Sequence, residues 1–359
     1  MPLFTKSSGD KMDIIDKIRR RDKIKYTAFY IILGILLVCG ILSSVCMGAM
    51  DIEVKSILYV IANKIFGCGF EVADNITAIV WNIRLPRIIC ACAVGAALAV
   101  SGAVIQGILQ NPLADPYTIG ISTGASFGAA LALIINIIAG IYFPVTVAAL
   151  IGAFATLVAV IHIADRGTAL ESSNLIIAGI IVSAVLSSGV SFIKMLAGEN
   201  VGVIVFWIMG SLSAVSWEGV ITVLPAAAVC IVIASMLAGQ LDIMSLGDDY
   251  ALSLGVNTKR LRLIYLVLGS VMAAVSVSVC GVIGFVGLVV PHLLRRWTGA
   301  KNMRLIPLSA LFGAVLLLYA DSAARILSSG EIPVGVLTTL IGGPFFIFVF
   351  TEREDRGNV

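Results

Sequence analysis

The sequence predicts an all-α protein of the membrane, a polytopic bundle of about ten transmembrane helices with both termini in the cytoplasm. Three observations predict it. Residues 88–164 contain a single Asp, Glu, Lys or Arg, namely Asp115. Over the 359 residues, 59% are hydrophobic and only 13% charged, with a mean hydropathy of +1.07, where soluble domains carry roughly a quarter charged residues. Charge-free runs also recur near the roughly 20 residues that a helix needs to cross a hydrocarbon core about 30 Å thick.

The runs free of charge are 26–50, 88–114, 116–164, 172–193, 200–217, 219–241, 263–294, 305–320 and 332–351. The third is too long for one helix, and Gly140 and Pro144 punctuate its middle, so it divides into two spans. The 263–294 run is long for one crossing and short for two, and the positive-inside rule decides between them. Lys6, Lys11, Lys17, Arg19, Arg20, Arg21, Lys23 and Lys25 place the N-terminus in the cytoplasm. If 200–217 does not cross, Lys259, Arg260 and Arg262 are cytoplasmic as well. The next cluster, Arg295, Arg296, Lys301 and Arg304, stays on that side only if 263–294 crosses twice, broken near Gly281, Gly284 and Gly287. Two further spans return the tail, with Arg353 and Arg356, to the cytoplasm.

The expected organisation is a cytoplasmic extension over 1–25, a transmembrane domain over 26–351 with a cytoplasmic segment at 240–262, and a cytoplasmic tail over 352–359. The first apolar run follows a basic stretch, as in a secretory signal. Its length and the lack of a clear small-residue cleavage site favour a retained helix.

Several function classes are excluded by what the chain lacks. It contains no G-x-x-x-x-G-K-[ST] phosphate loop, so no nucleotide is held in that way. Its two histidines, His162 and His292, cannot build an H-E-x-x-H site, and the seven cysteines show no metal-ligand spacing. No metal site and no cofactor are expected, and the cysteines read as small packing residues. The net charge of +3 follows from topology and implies no nucleic-acid partner; the surrounding partner is the lipid bilayer. Asp321 is the one carboxylate expected to be buried in a span, with Arg325 on the same helix face four residues later. A locally satisfied pair is a poor start for the proton relay that an ion-coupled carrier needs.

Three blocks of residues carry a resemblance. The first is Arg84-Leu-Pro-Arg87, Gly95 to Gly102, Gln106, Asn111-Pro-Leu-Ala-Asp-Pro116 and Gly120 to Ala125. The second is Ser245 to Gly255, followed by Gly281 to His292. The third is Ala320-Asp-Ser-Ala-Ala-Arg325, Glu331 to Gly335, and Gly342-Gly-Pro344. In this order and spacing the chain resembles, over roughly 26–351, the FecCD family, the permease subunits of ATP-driven importers for iron chelates, haem and cobalamin. On the residues alone, Asp115-Pro116 is a helix start, a capping carboxylate with proline in the first helical position. The small residues of the first block suit close helix packing in lipid.

The resemblance implies a homodimeric permease of a bacterial cell membrane, working with a separate ABC ATPase subunit, which uses the ATP, and with an extracytoplasmic substrate-binding protein. The chain itself is then not an enzyme. Segment 240–262 is polar and helix-friendly with breaks at Gly247 and Gly255; alone it reads as a solvated loop. The resemblance makes it the coupling helices, with Ser245, Leu246, Gly247, Asp248, Leu252, Leu254 and Gly255 meeting the ATPase. Arg84, Arg87 and Arg325 share the outer end, where arginines commonly snorkel. The resemblance instead has them dock glutamates of the binding protein, for which the guanidinium fork is suited. It also places the translocation path along roughly 175–197 and 204–212, with Met195, Trp207 and Met209 as wall residues. A ferric siderophore is the favoured cargo, with haem and cobalamin behind it. A secondary active transporter is the alternative, and an adjacent ATPase reading frame would discriminate. There is also an internal echo: Lys259, Arg262 and Ala274-Val-Ser276 repeat Arg84, Arg87 and Ala99-Val-Ser101, as inverted repeats do.

Overall fold

The computed structural model describes residues 8–46, 50, 52–165, 171–327 and 332–357. Every regular element among them is helical. In chain order the α-helices are α1 (Ser8–Cys46), α2 (Val54–Phe66), α3 (Asp74–Ala78), α4 (Leu85–Leu109), α5 (Ile121–Ala139), α6 (Val145–Ala164), α7 (Ser172–Ala197), α8 (Val201–Ile208), α9 (Trp217–Met244), α10 (Asp248–Ser253), α11 (Thr258–Cys280), α12 (Val286–Thr298), α13 (Asn302–Leu327) and α14 (Val334–Gly357). A π-helical turn, Ile79–Arg84, joins α3 to α4.

Eight helical stretches among the described residues are long and apolar enough to cross a membrane. They are α1 from Lys23, α3 through α4, α5, α6, α7 through α8, α9, α11 and α13. The other two expected spans, α12 and α14, lie outside this set. The 263–294 run divides as expected between Cys280 and Val286, but unequally: α11 has 23 residues and α12 has 13. At 1.5 Å per residue α12 is about 20 Å long, short of a full crossing. Helix α14, Val334–Gly357, carries no charged residue before Glu352. Residues 200–217 do not make a span of their own, since α8 has eight residues and its chain then leaves helical geometry.

Local chemistry explains most boundaries. Asn136 closes the α5–α6 turn by donating from Nδ2 to Phe143 O (3.0 Å) and accepting from Phe143 N (2.7 Å), and Pro144 precedes α6. Asp115 does accept from Tyr117 N at 3.1 Å. It caps a separate 3-10 turn, Pro116–Ile119, however, and α5 begins only after Gly120. Asn257 caps α11 by accepting from Arg260 N at 3.0 Å. The polar segment at 240–262 is therefore narrower than its composition suggests. Its first residues are the last turn of α9 and its last ones the first turn of α11. Helix α1 runs unbroken through the expected boundary between extension and span.

Helix α4 is the centre of the bundle. It is buried almost throughout and packs against α9, α11, α12 and α13, while α5, α6 and α7 form a second group joined through α11. Because lipid tails offer no hydrophobic drive for helix association, close van der Waals fit has to supply it. Gly95 and Gly313 show how: a Cβ on either would strike the other's carbonyl oxygen, so α4 and α13 touch backbone to backbone. Ser101 Oγ adds a hydrogen bond to Gly269 O of α11 at 2.6 Å.

Gly313→Leu is expected to separate α4 from α13 and to cost at least the ~1–3 kcal/mol typical of overpacking. A lower midpoint in a thermal melt of the detergent-solubilised protein checks it; an unchanged midpoint would show that this contact can relax.

Candidate functional site

Two ends and one interior junction carry the features that could serve transport. At the α2 end, Arg84, Arg87 and Arg325 come together around the last turn of α1. Arg84 is buried. It donates from Nη1 to Val45 O at 2.5 Å and to Cys46 O at 3.0 Å, and from Nη2 to Met50 O. A helix leaves its last carbonyls without internal donors and carries a partial negative charge there; Arg84 answers both at once. Arg87 reaches Asp321 with Nε, at 3.0 and 3.1 Å to the two carboxylate oxygens, and with Nη2 at 2.9 Å. Arg325 Nε lies 3.4 Å from Asp321 Oδ2, and its Nη1 donates to Ser44 O at 3.2 Å.

The three arginines, which the resemblance makes docking residues for a binding protein, also hold partners within the chain. Their guanidinium groups turn inward, and Asp321 is 0% exposed. The local Asp321–Arg325 pair exists, but the closer partner of Asp321 is Arg87, 234 residues away in sequence. Three helices, α1, α4 and α13, are thereby tied at one end by charge.

At the opposite end lies α10. Gly247 and Gly255 bracket it with φ of 113° and 82°. Ala251 packs inward, and Arg262, buried on α11, holds Asp248 through Nη2 at 2.9 and 3.1 Å. Ser245 Oγ donates to Asp242 O at 2.6 Å, and the Asp242 carboxylate accepts from Asn302 N at 2.6 Å. On this rigid base Leu246, Tyr250, Leu252 and Leu254 stand exposed, the last three at 55–56%. Four large apolar side chains beside charged residues form a surface patch of the kind that marks a protein contact. Tyr250 was not singled out from the sequence; its exposure on α10 becomes visible only once that helix is formed.

The junction lies where three breaks in helical geometry meet: after α8, between α11 and α12, and before α14. Ser211 N donates to Cys280 O at 2.8 Å, and Gly335 N to Gly210 O at 3.0 Å. Gly210 and Gly281 have φ of 75° and 70°, a region that favours glycine. A Cβ on Gly281 would also strike Trp207 O, and one on Gly210 would strike Val282 O. An open cavity of ≈ 580 Å³ adjoins the junction, lined by Ile208, Met209, Val282, Thr339 and Leu340 among others. Non-helical backbone at membrane depth is tolerated where protein buries it or where it lines a cavity, and both hold here. Met209 thus reaches the cavity and Trp207 supports it through its carbonyl. Met195 does not line it; it stands 70% exposed near the end of α7. Glycine positions 281 and 335 were present in the quoted sequence blocks. Their meeting with Gly210 was not readable, because it depends on three loops far apart in the chain.

Asp321→Asn leaves Arg87 and Arg325 with a neutral partner, and removing one member of a buried pair typically costs ~3–5 kcal/mol. The expected result is poor accumulation or a much lower melting midpoint for the solubilised protein, before any binding protein is added. Wild-type stability in this variant would contradict the tie between α1, α4 and α13.

Comparison with known proteins agrees with this architecture. Residues 35–352 match the FecCD transport family. An uncharacterised ABC transporter permease of Bacillus subtilis is 39% identical over 348 residues, covering 95% of this chain and 97% of that one. The Fe(3+)-citrate import system permease of the same organism is 36% identical, with 93% and 97% covered. The vitamin B12 import system permease of Vibrio cholerae is 36% identical, with 89% and 94% covered. A solved inward-facing structure of a metal-chelate type ABC transporter matches with a TM-score of 0.78 at 32% identity, covering 92% of this chain and 99% of that one. The chain belongs to the FecCD transport family, as an integral membrane permease of the ABC transporter type.

Proposed function

We propose that this chain is the membrane-spanning subunit of a binding-protein-dependent ABC importer, that it works as a homodimer, and that it carries a ferric siderophore. The observation that carries this reading is the α10 segment. It offers an apolar, rigidly based contact at the end where basic residues cluster, which the positive-inside rule assigns to the cytoplasm. Such a contact suits a separate ATPase whose closure would push on α10. Ser245, Leu246, Gly247, Asp248, Leu252, Leu254 and Gly255 form this face or its turns. An extracytoplasmic binding protein would deliver cargo at the α2 end. The cavity at the α8, α12 and α14 junction, with Met209 in its wall, then lies on the route of a large chelate between two copies of the chain.

Support for the cargo class comes from the relatives. Permeases described for Fe(3+)-citrate and for vitamin B12 stand at the same 36% identity, so overall similarity does not separate these cargoes. What they share is a bulky metal chelate. The apolar junction cavity suits such a cargo better than it suits a small ion, which needs polar ligands. An ion-coupled secondary transporter is disfavoured by Asp321, whose carboxylate is committed to two arginines.

Uptake by proteoliposomes holding the permease, its ATPase and its binding protein tests the reading. Ferric citrate, a ferric hydroxamate, haemin and cobalamin would be offered in parallel with and without ATP. ATP-dependent accumulation of a ferric chelate is expected; accumulation driven by a proton gradient alone would overturn the importer reading, and accumulation of cobalamin alone would overturn the cargo. Leu252→Glu and Leu254→Glu should leave folding intact, because both side chains are exposed. They are expected to lower ATPase co-purification and cargo uptake at least tenfold, which corresponds to about 1.4 kcal/mol of lost contact. Co-purification at the wild-type level would remove α10 from the ATPase interface.

A further inference from the structure

Helix α12 contains Pro291 in its interior. Proline has no amide hydrogen, so the carbonyl four residues earlier, that of Gly287, loses its helical donor. Within hydrocarbon no water replaces it. The replacement comes from another helix. Gln106 Nε2 of α4 lies 3.2 Å from Gly287 O and 3.5 Å from Leu288 O.

The other end of the same amide is also used. Gln106 Oε1 accepts from Arg295 Nη1, and Arg295 Nη2 reaches Ala103 O at 3.4 Å. The orientation of the amide is forced, because its NH2 faces carbonyls and its oxygen faces a guanidinium. Gln106 is 3% exposed. One side chain of α4 therefore grips α12 near its start and near its end. A Cβ on Gly102 would strike the Gly287 carbonyl, so the two backbones touch just where the grip begins.

Four residues on, Gln110 Nε2 donates to Met244 O at 3.1 Å. Gln110 is the left-handed C-cap of α4 (φ 50°), and Met244 is the last residue of α9, at the foot of the α10 segment. At the far end of α12 is the 281–285 loop, which meets Gly210 and Gly335 at the junction.

We propose that Gln106 is a positioning residue for transport: by fastening α12 to α4 it makes the 281–285 loop follow displacements that reach α4 from the α10 segment through Gln110. The junction at Gly210, Gly281 and Gly335 is then moved from the far side of the membrane without any contact to the ATPase. The proposal rests on the reading of α10 as the ATPase contact.

Pro291→Ala gives the decisive experiment, because it restores the amide that Gly287 O lacks. The full permease would be prepared as wild type, Gln106→Leu, Pro291→Ala and the double variant. Each would be melted in detergent and, with its ATPase and binding protein, assayed for cargo moved per ATP using a chelate that the wild type accepts. Gln106→Leu is expected to lower the melting midpoint by several degrees in the wild-type background and by much less in the Pro291→Ala background, a coupling that general packing damage would not show. The double variant should still move several-fold less cargo per ATP, because the tie to Arg295 remains lost. Equal losses in both backgrounds would overturn the link to Pro291. Recovery of cargo moved per ATP together with stability would reduce Gln106 to a structural role and overturn the proposal. A wild-type complex that moves no chelate would instead strike the functional reading, while the melts would still decide the Gln106–Pro291 link.

Discussion

The buried backbone polar groups of this protein must find their partners within the protein, because the hydrocarbon around it offers none. Helices meet that demand for most of the chain. Where helical geometry stops, at 209–216, 281–285 and 332–333, the chain meets it by bringing the breaks together. Ser211 N finds Cys280 O and Gly335 N finds Gly210 O. The junction is therefore a consequence of solvation as much as of packing. Three unwound segments, each costly alone, satisfy one another and leave a cavity at their side.

The same constraint governs the charges. A guanidinium inside the bundle is retained only with acceptors around it, and each buried arginine has them. Arg84 takes the carbonyls that end α1, Arg87 takes Asp321, and Arg262 takes Asp248. The last two belong to the echoed segments of the sequence, on α4 and α11. In both copies the arginine early in the helix reaches an aspartate on another element. One copy thereby steadies the α2 end of the bundle with a buried charge pair, and the other the base of α10 with a pair whose aspartate is half-exposed.

Much of the architecture was readable because hydrophobic run length and helix punctuation are local properties. The division of 116–164 near Gly140 and Pro144, the break between Cys280 and Val286, and the turns at Gly247 and Gly255 all lie where the composition changes. Boundaries slipped where a polar residue still belongs to a hydrogen-bonded turn, as at the end of α9 and the start of α11. The arginines at the α2 end were harder. Sequence shows their place beside charge-free runs and, for Arg325, the neighbouring Asp321 four residues earlier. Within the chain Arg87 meets a carboxylate on another helix and Arg84 the carbonyls that end α1, partners which no residue type announces.

By itself the sequence determined that the chain is a multi-span helical membrane protein, that it lacks a phosphate loop, and which blocks it shares with one transport family. These follow from composition, spacing and motif, which need no coordinates. Only the tertiary structure decided that α12 stops short of a full crossing, that Asp321 binds Arg87 more closely than its near neighbour Arg325, and that Gln106 replaces the amide missing at Pro291. Each of these depends on which helices lie side by side. In a membrane that choice is made by backbone fit and by the need of every orphaned donor and acceptor for a partner, and residues more than 180 positions apart can supply it.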